Sequence, residues 1–400
     1  MTLRPALRLL ALLAAPLLLS SLPSAVTACP YDIRDAGFIV RDPSPYRLVF
    51  YVNDTTPSRE KLPVWVDSAA RSELGEANVV AEVANLARLD KTDPLRVHFE
   101  RLAPQKLPAP VLISPRNQAF LVPGFDTTQI TEQSVTDFVR SVVRSPVREQ
   151  LAQHLVDAWC TILILPGADA VENQRVTKAV AEARKAIVGT TTPMGTQIRV
   201  QPWVITTYAG DPVESVVRWS LGMTDKEPPL PEVAVVWGMA RRIGPVLKGD
   251  QVSASSVGNL LRLLGENCTC TSDPAYLIGP SVPFVWDEKL RQATRDALGF
   301  DPDSPQARST LSGVWTTLEP GAEPNENVLP NPGGGYIEFP AEPGQGEGAP
   351  EGDDPDAVGA APTSWENRGL KVAAITAVGL GGAAGGGGAL VWWLRRKRCV

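Results

Sequence analysis

Val135, Phe138, Val139 and Val142 lie at i, i+3, i+4 and i+7, the spacing that puts four apolar side chains on one helix face. Val257, Leu260, Leu261 and Leu264 repeat that spacing 122 residues later. Ahead of each predicted helix stands a proline, an apolar run, a turn and a second apolar run: "PAPVLISPRNQAFLVPG" and "PEVAVVWGMARRIGPVLKG", with Pro110 and Pro231 121 residues apart. A unit repeated at this interval constrains the body of the chain to two copies of one domain.

The first copy opens on "RLVFYV", a buried strand, followed by a helical stretch through "VDSAARSELGEANVVAEVANLARL". In "LRVHFERL" the residues Leu95, Val97 and Phe99 alternate, which predicts a half-buried strand. The second copy opens at Cys160 with "CTILIL", bounded by Pro166 and Gly167, then a helix from about Asp169 to Ile187 and the strand segment "TQIRVQPWVITTY". Gly265 follows the last apolar position of the repeated helix and reads as its C-terminal cap. A shorter amphipathic helix, capped at Asp287 and stopped by Gly299, is expected beyond it.

Strand, helix, strand, then proline, strand, turn, strand, glycine and helix is an order that resembles the thioredoxin fold, twice over. The resemblance implies an α/β protein of tandem thioredoxin-like sandwiches. It makes Pro110 and Pro231, each just ahead of a hairpin strand, candidate cis-prolines. It also implies where a reactive thiol would stand: in the loop after each first strand, where a helix N-terminus lowers its pKa. Here those loops read Asn53-Asp54-Thr55-Thr56 and Pro166-Gly167-Ala168-Asp169. Neither holds a cysteine, and Asp54 and Asp169 read as helix N-caps. No catalytic residue and no cofactor follow from the sequence.

Five cysteines are too few for a disulfide framework, and two histidines, His98 and His154, make a histidine metal site improbable. Each reads as a packed or surface residue. The pair Cys268 and Cys270 in "GENCTCTSDP" is open to three readings: a structural bridge to Cys160, a reactive dithiol, or half of a zinc site. The bridge is the leading expectation, and no metal is expected. Net charge is −6, and no basic patch with interleaved aromatics is present, which argues against nucleic acid.

Residues 316–368 contain eleven Asp and Glu against one basic residue, with Pro and Gly throughout. Such a segment cannot bury enough apolar surface to offset its ordering entropy, so it reads as a disordered tether with an r.m.s. span of ~40 Å. Only "YIEF" at its centre has the makings of a docking point.

Both ends carry membrane signals. Arg4 and Arg8 followed by the apolar run to Leu22 read as a signal peptide. Val26-Thr27-Ala28-Cys29 resembles the bacterial lipobox, which makes Cys29 a lipidation candidate, although Val26 and Ala28 also suit ordinary cleavage after Ala28. Near the other end, 23 uncharged positions from Val372 to Leu394 would span ~34 Å as a helix. Trp392, Trp393 and the basic run from Arg395 to Arg398 then mark a cytoplasmic boundary. The glycines in that span also resemble bacterial C-terminal sorting tags.

The organisation expected is a signal peptide (1–28), two thioredoxin-like domains (29–158 and 159–270), a short α-containing extension (271–315), the tether (316–368), a transmembrane helix (369–394) and a basic tail (395–400). This predicts a non-catalytic binding or assembly protein, its bulk outside the cytoplasm, engaging the membrane and another envelope protein. A thiol–disulfide protein using Cys268 and Cys270, or a metal- or small-ligand-binding component, is the alternative.

Overall fold

The computed structural model describes residues 30–39, 44–224, 226–267, 279–315, 328–330 and 336–338. The signal peptide, Cys29, Cys268, Cys270 and the membrane span at 369–394 lie outside the described residues. Among the described residues no helix is long and apolar enough to cross a membrane.

The chain enters through α1 (Ile33–Ala36) and then builds β1 (Tyr46–Val52), α2 (Leu62–Glu73), β2 (Val79–Asn85), α3 (Pro94–Leu102), β3 (Ala109–Ile113), β4 (Ala119–Leu121) and α4 (Glu132–Val143). A linking helix α5 (Pro146–His154) leads to β5 (Thr161–Leu165), α6 (Ala170–Ile187), β6 (Trp203–Thr206), α7 (Ser215–Ser220), β7 (Glu232–Trp237), β8 (Arg241–Lys248) and α8 (Ala254–Leu263). Helices α9 (Glu288–Leu298) and α10 (Pro305–Trp315) and the short strands β9 (Val328–Pro330) and β10 (Tyr336–Glu338) follow.

The protein is mixed α/β with two four-stranded sheets of the same topology, β2-β1-β3-β4 and β6-β5-β7-β8. In each, the first strand pairs parallel with the second and antiparallel with the third, which forms the hairpin. Alternate residues of the central strands feed opposite faces. Leu48, Phe50 and Val52 pack with α2 and α4, and Val49 and Tyr51 with the α3 side. Ile162 and Ile164 pack with α6 and α8, while Leu163 and Leu165 pack with α5 and α7.

Two expected elements change places. Leu95–Leu102 is helical, because Asp93 caps the amide of Leu95 at 2.8 Å and Pro94 fits the first turn, where its missing N–H costs nothing. The helix turns Leu95, Phe99 and Leu102 onto the sheet. The strand of this copy is instead β2, taken from the middle of the predicted helical stretch. That helix stops at Glu73, just ahead of Gly75, and the β-branched Val79, Val80 and Val83 continue as strand.

The candidate cis-prolines are also corrected. The cis bond is Leu107–Pro108; none precedes Pro110 or Pro231. Pro110 already lies inside β3 opposite Phe50, where extended trans backbone serves the ladder. Asp54 caps no helix, since α2 begins eight residues later, and its carboxylate instead accepts from Asn85 Nδ2 at 3.3 Å. Gly265 does follow α8, but its φ is not left-handed. A Cβ there would stand 2.5 Å from Thr192 Cγ2, so close packing excludes a side chain.

The two domains exchange segments. Residues 30–39, next to the first domain in sequence, pack on the second: Ile33, Ala36 and Ile39 enter one of its cores and Phe38 the other. In return residues 279–286 run between the β7–β8 hairpin and the entry to β2. Arg242 N–H donates to Pro280 O and Val282 N–H to Ala240 O on one side; on the other, Trp286 N–H donates to Glu76 O and Asn78 Nδ2 to Val282 O. Helix α7 bridges the same seam, with Val217 in the second domain's core and Val216 in the first's. Strand β9, inside the stretch assigned to the tether, pairs with β10 and runs beside β8 and α8.

Candidate functional site

The loops after β1 and β5 are where this topology would place chemistry, at the C-terminal ends of parallel strands. In the first, Asn53 Oδ1 accepts from the Thr55 amide at 3.0 Å and from the Thr56 hydroxyl at 2.8 Å, and Thr56 Oγ1 accepts from the Asn53 amide at 2.8 Å. These bonds close a polar turn on itself.

The loop after β5 is closed at Gly167, while Ala168 and Asp169 stay exposed. Asn173 clamps it, its Oδ1 accepting from Gly167 N–H at 2.8 Å and its Nδ2 donating to Gly167 O at 2.7 Å. Ala168 N–H donates to Pro228 O, drawing in the segment before β7. That segment passes so close that a Cβ on Gly167 would stand 2.6 Å from the carbonyl carbon of Leu230 and 2.8 Å from Pro231 N. Asp169 is the N-cap expected of it, accepting from Val171 and Glu172 amides. Backbone leaves no room for a side chain at Gly167.

Around this loop four large apolar side chains are exposed. Val171 is 73% exposed and Tyr208 64%, and Val213 and Leu230 are exposed as well. All four lie at one end of the second sheet: Val171 opens α6, Tyr208 and Val213 follow β6, and Leu230 precedes β7. Thr207 N–H bonds to Ile164 O, which brings the 207–213 loop beside the end of β5. Arg218, buried in α7, donates to the carbonyls of Tyr208 at 2.7 Å and Asp211 at 2.9 Å, so the loop is held from beneath. This rim was not legible in the sequence; exposed apolar residues in loops become a signal only when the topology groups them.

Cys160 precedes β5, is 1% exposed and carries a free thiol. Burial pushes that thiol well above its ordinary range, the opposite of what a nucleophile needs. His98 is buried, with Nε2 at 2.8 Å from Asn117 Oδ1 and Nδ1 at 3.1 Å from an Arg101 Nη2. His154 stacks on Trp203, ring centroids 3.8 Å apart. Among the described residues no group of three or more His, Cys, Asp or Glu side chains is placed to hold a metal ion.

No family model and no curated protein matches the chain. Solved structures do match over about half of it. The zinc-bound form of human ERp44 is 12% identical, with 55% of each chain covered and a TM-score of 0.20. The first two thioredoxin domains of Saccharomyces cerevisiae Eps1p are 11% identical, covering 49% of this chain and 82% of that one at a TM-score of 0.18. Full-length ERdj5 is 10% identical over 55% of this chain and 30% of its own, with a TM-score of 0.18. The chain spans about half the length of the ERp44 structure it matches.

Proposed function

We propose that this chain is a non-catalytic binding or assembly protein, built from two degenerate thioredoxin-like domains and held outside the cytoplasmic membrane by a helix at residues 369–394, that engages another envelope protein. The observation that carries the reading is the sealed loop at Gly167 with its exposed apolar rim. The element order that gives the resemblance recurs in both sheets, yet the second loop leaves no room for a side chain at Gly167, and what the surface offers is Val171, Tyr208, Val213 and Leu230. A surface of that kind gains from being covered, because apolar area removed from water contributes roughly 25 cal/mol per Å² before the costs of association are met. The acidic segment beyond β10 supplies a tether between this body and the membrane.

A photo-crosslinking residue in place of Tyr208, in cells carrying the full chain, tests the reading. The expected result is one dominant adduct with a second membrane or envelope protein, lost when Leu230→Asp is added to the same chain. Purification of the folded chain alone, with no adduct at Tyr208 and none at Val171, overturns it.

A further inference from the structure

The arm at residues 30–39 is fastened by groups of unusual polarity. The amides of Ile33 and Arg34 donate to Glu266 O at 2.9 Å and Leu264 O at 2.8 Å, and Asp32 pairs antiparallel with Asn267. Gly37 lies against Trp237 with no room for a Cβ, and its carbonyl accepts from Met239 N–H. The guanidinium of Arg34 donates to the carbonyls of Trp159 at 3.2 Å, Val156 at 3.0 Å and Ala158 at 3.3 Å.

Asp32 is the anomaly. It is 6% exposed, and its carboxylate accepts from the Asp35 amide at 2.8 Å as the N-cap of α1. The charged groups acting on it are Arg34 and Asp35 from α1 itself, and Glu266, whose backbone carbonyl accepts from Ile33, is the carboxylate of the segment on which the arm sits. Arg34 directs three of its hydrogen bonds to carbonyls, and its carboxylate partner is Asp35, at 3.2 Å, not Asp32. Tyr31, beside it in sequence, packs its ring on Phe300. A buried carboxylate with a second carboxylate beside it is costly to ionise. Burial, reinforced by Asp35, pushes Asp32 up to about 7, and burial also raises Glu266.

We propose that the arm is a pH-sensitive latch: with Asp32 protonated, residues 30–39 are held firmly on the second domain, and loss of that proton loosens them. Once undocked, Asp32 returns towards its ordinary value of 3.8. Between about pH 4 and pH 7 the docked arm therefore keeps a proton that the free arm has lost. The sign follows: docking is strongest in acid, weakens as the pH rises through that window, and is level above it. Each pH unit inside the window changes the opening constant by up to roughly tenfold. What opening uncovers is the seat of the arm, Trp237 and Met239 at the β7–β8 turn and the carbonyls that end α8.

Hydrogen exchange of the full chain, corrected for the intrinsic rate at each pH, tests this on the amides of Ile33, Arg34 and Met239. The expected result is protection that falls roughly tenfold or more from pH 5 to pH 7 and changes little from pH 7 to pH 8. Asp32→Asn, which keeps an N-cap acceptor, should flatten most of that fall, leaving the smaller contributions of Asp35 and Glu266, whose carboxyls burial also raises. Should that variant fail to fold, Asp35→Asn removes both the neighbouring charge and Arg34's carboxylate partner, and should move the window to lower pH. Protection in the unaltered chain that does not change with pH, or a fall with pH that is undiminished in Asp32→Asn, overturns the latch.

Discussion

The hydroxyl of Ser145 donates to Glu214 Oε2 across 2.7 Å, with both side chains buried where the two domains meet. The other carboxylate oxygen accepts from Val147 N–H at 2.9 Å, and Arg148, fully enclosed, donates to Ser145 Oγ at 3.0 Å and to Pro283 O at 2.9 Å. Burial pushes Arg148 down to about 10, and Glu214 acts in the opposite direction by stabilising its charge. Glu214→Ala leaves that buried cation without its counter-charge and should cost about 3–5 kcal/mol. Urea denaturation of the variant measures this; a loss under ~1 kcal/mol would show that Glu214 does not compensate Arg148.

Gly167→Ala sets a Cβ against the backbone of Leu230 and Pro231, which cannot swing aside as a flexible side chain would. The expected cost is about 1–3 kcal/mol. The same contact predicts that Gly167→Cys will not restore redox activity, because the loop must open before the thiol can be accommodated. Insulin reduction by that variant above the rate of the unaltered chain would contradict the sealed-loop geometry.

What was legible in the sequence follows from how strongly each segment was over-determined. "TILIL" and "EVAVVW" are apolar after their first residues, Thr161 and Glu232, and they form β5 and β7 as expected. Asp169 and Asp287 cap α6 and α9 as their place ahead of an apolar-periodic stretch suggests. The exchange of α3 and β2 was missed where two local signals conflicted. The alternation of Leu95, Val97 and Phe99 suggested a strand, but the Asp93-Pro94 start prevails, since Val97 is exposed and the neighbouring His98 is buried. Neither the arm nor the 279–286 strap could be seen, because both depend on backbone pairings between segments more than 200 residues apart in sequence. The apolar rim escaped because its residues, spread over loops between 171 and 230, are grouped only by the sheet topology.

Because each domain carries a segment of the other, the folded body should unfold as one unit. Asn78 joins them through four bonds to the strap: its amide donates to Phe284 O at 3.2 Å, Nδ2 to Val282 O at 3.0 Å and to Ser281 Oγ at 3.5 Å, and Oδ1 accepts from Phe284 N–H at 2.7 Å. Asn78→Ala removes the three side-chain bonds and leaves the Phe284 N–H unpaired, which should cost about 1–3 kcal/mol. Calorimetry should show one transition for the unaltered chain and a broadened or split one for the variant. Two well-separated transitions in the unaltered chain would contradict the mutual strapping.

The cysteines can be ordered by where the described chain leaves them. Cys160 is enclosed by the core of the second domain, so alkylation under native conditions should leave it unlabelled until denaturant is added. Peptide mapping without reductant should accordingly find Cys160 joined to neither Cys268 nor Cys270. A bridge from Cys160 would mean that the core around β5 opens far more readily than its burial allows.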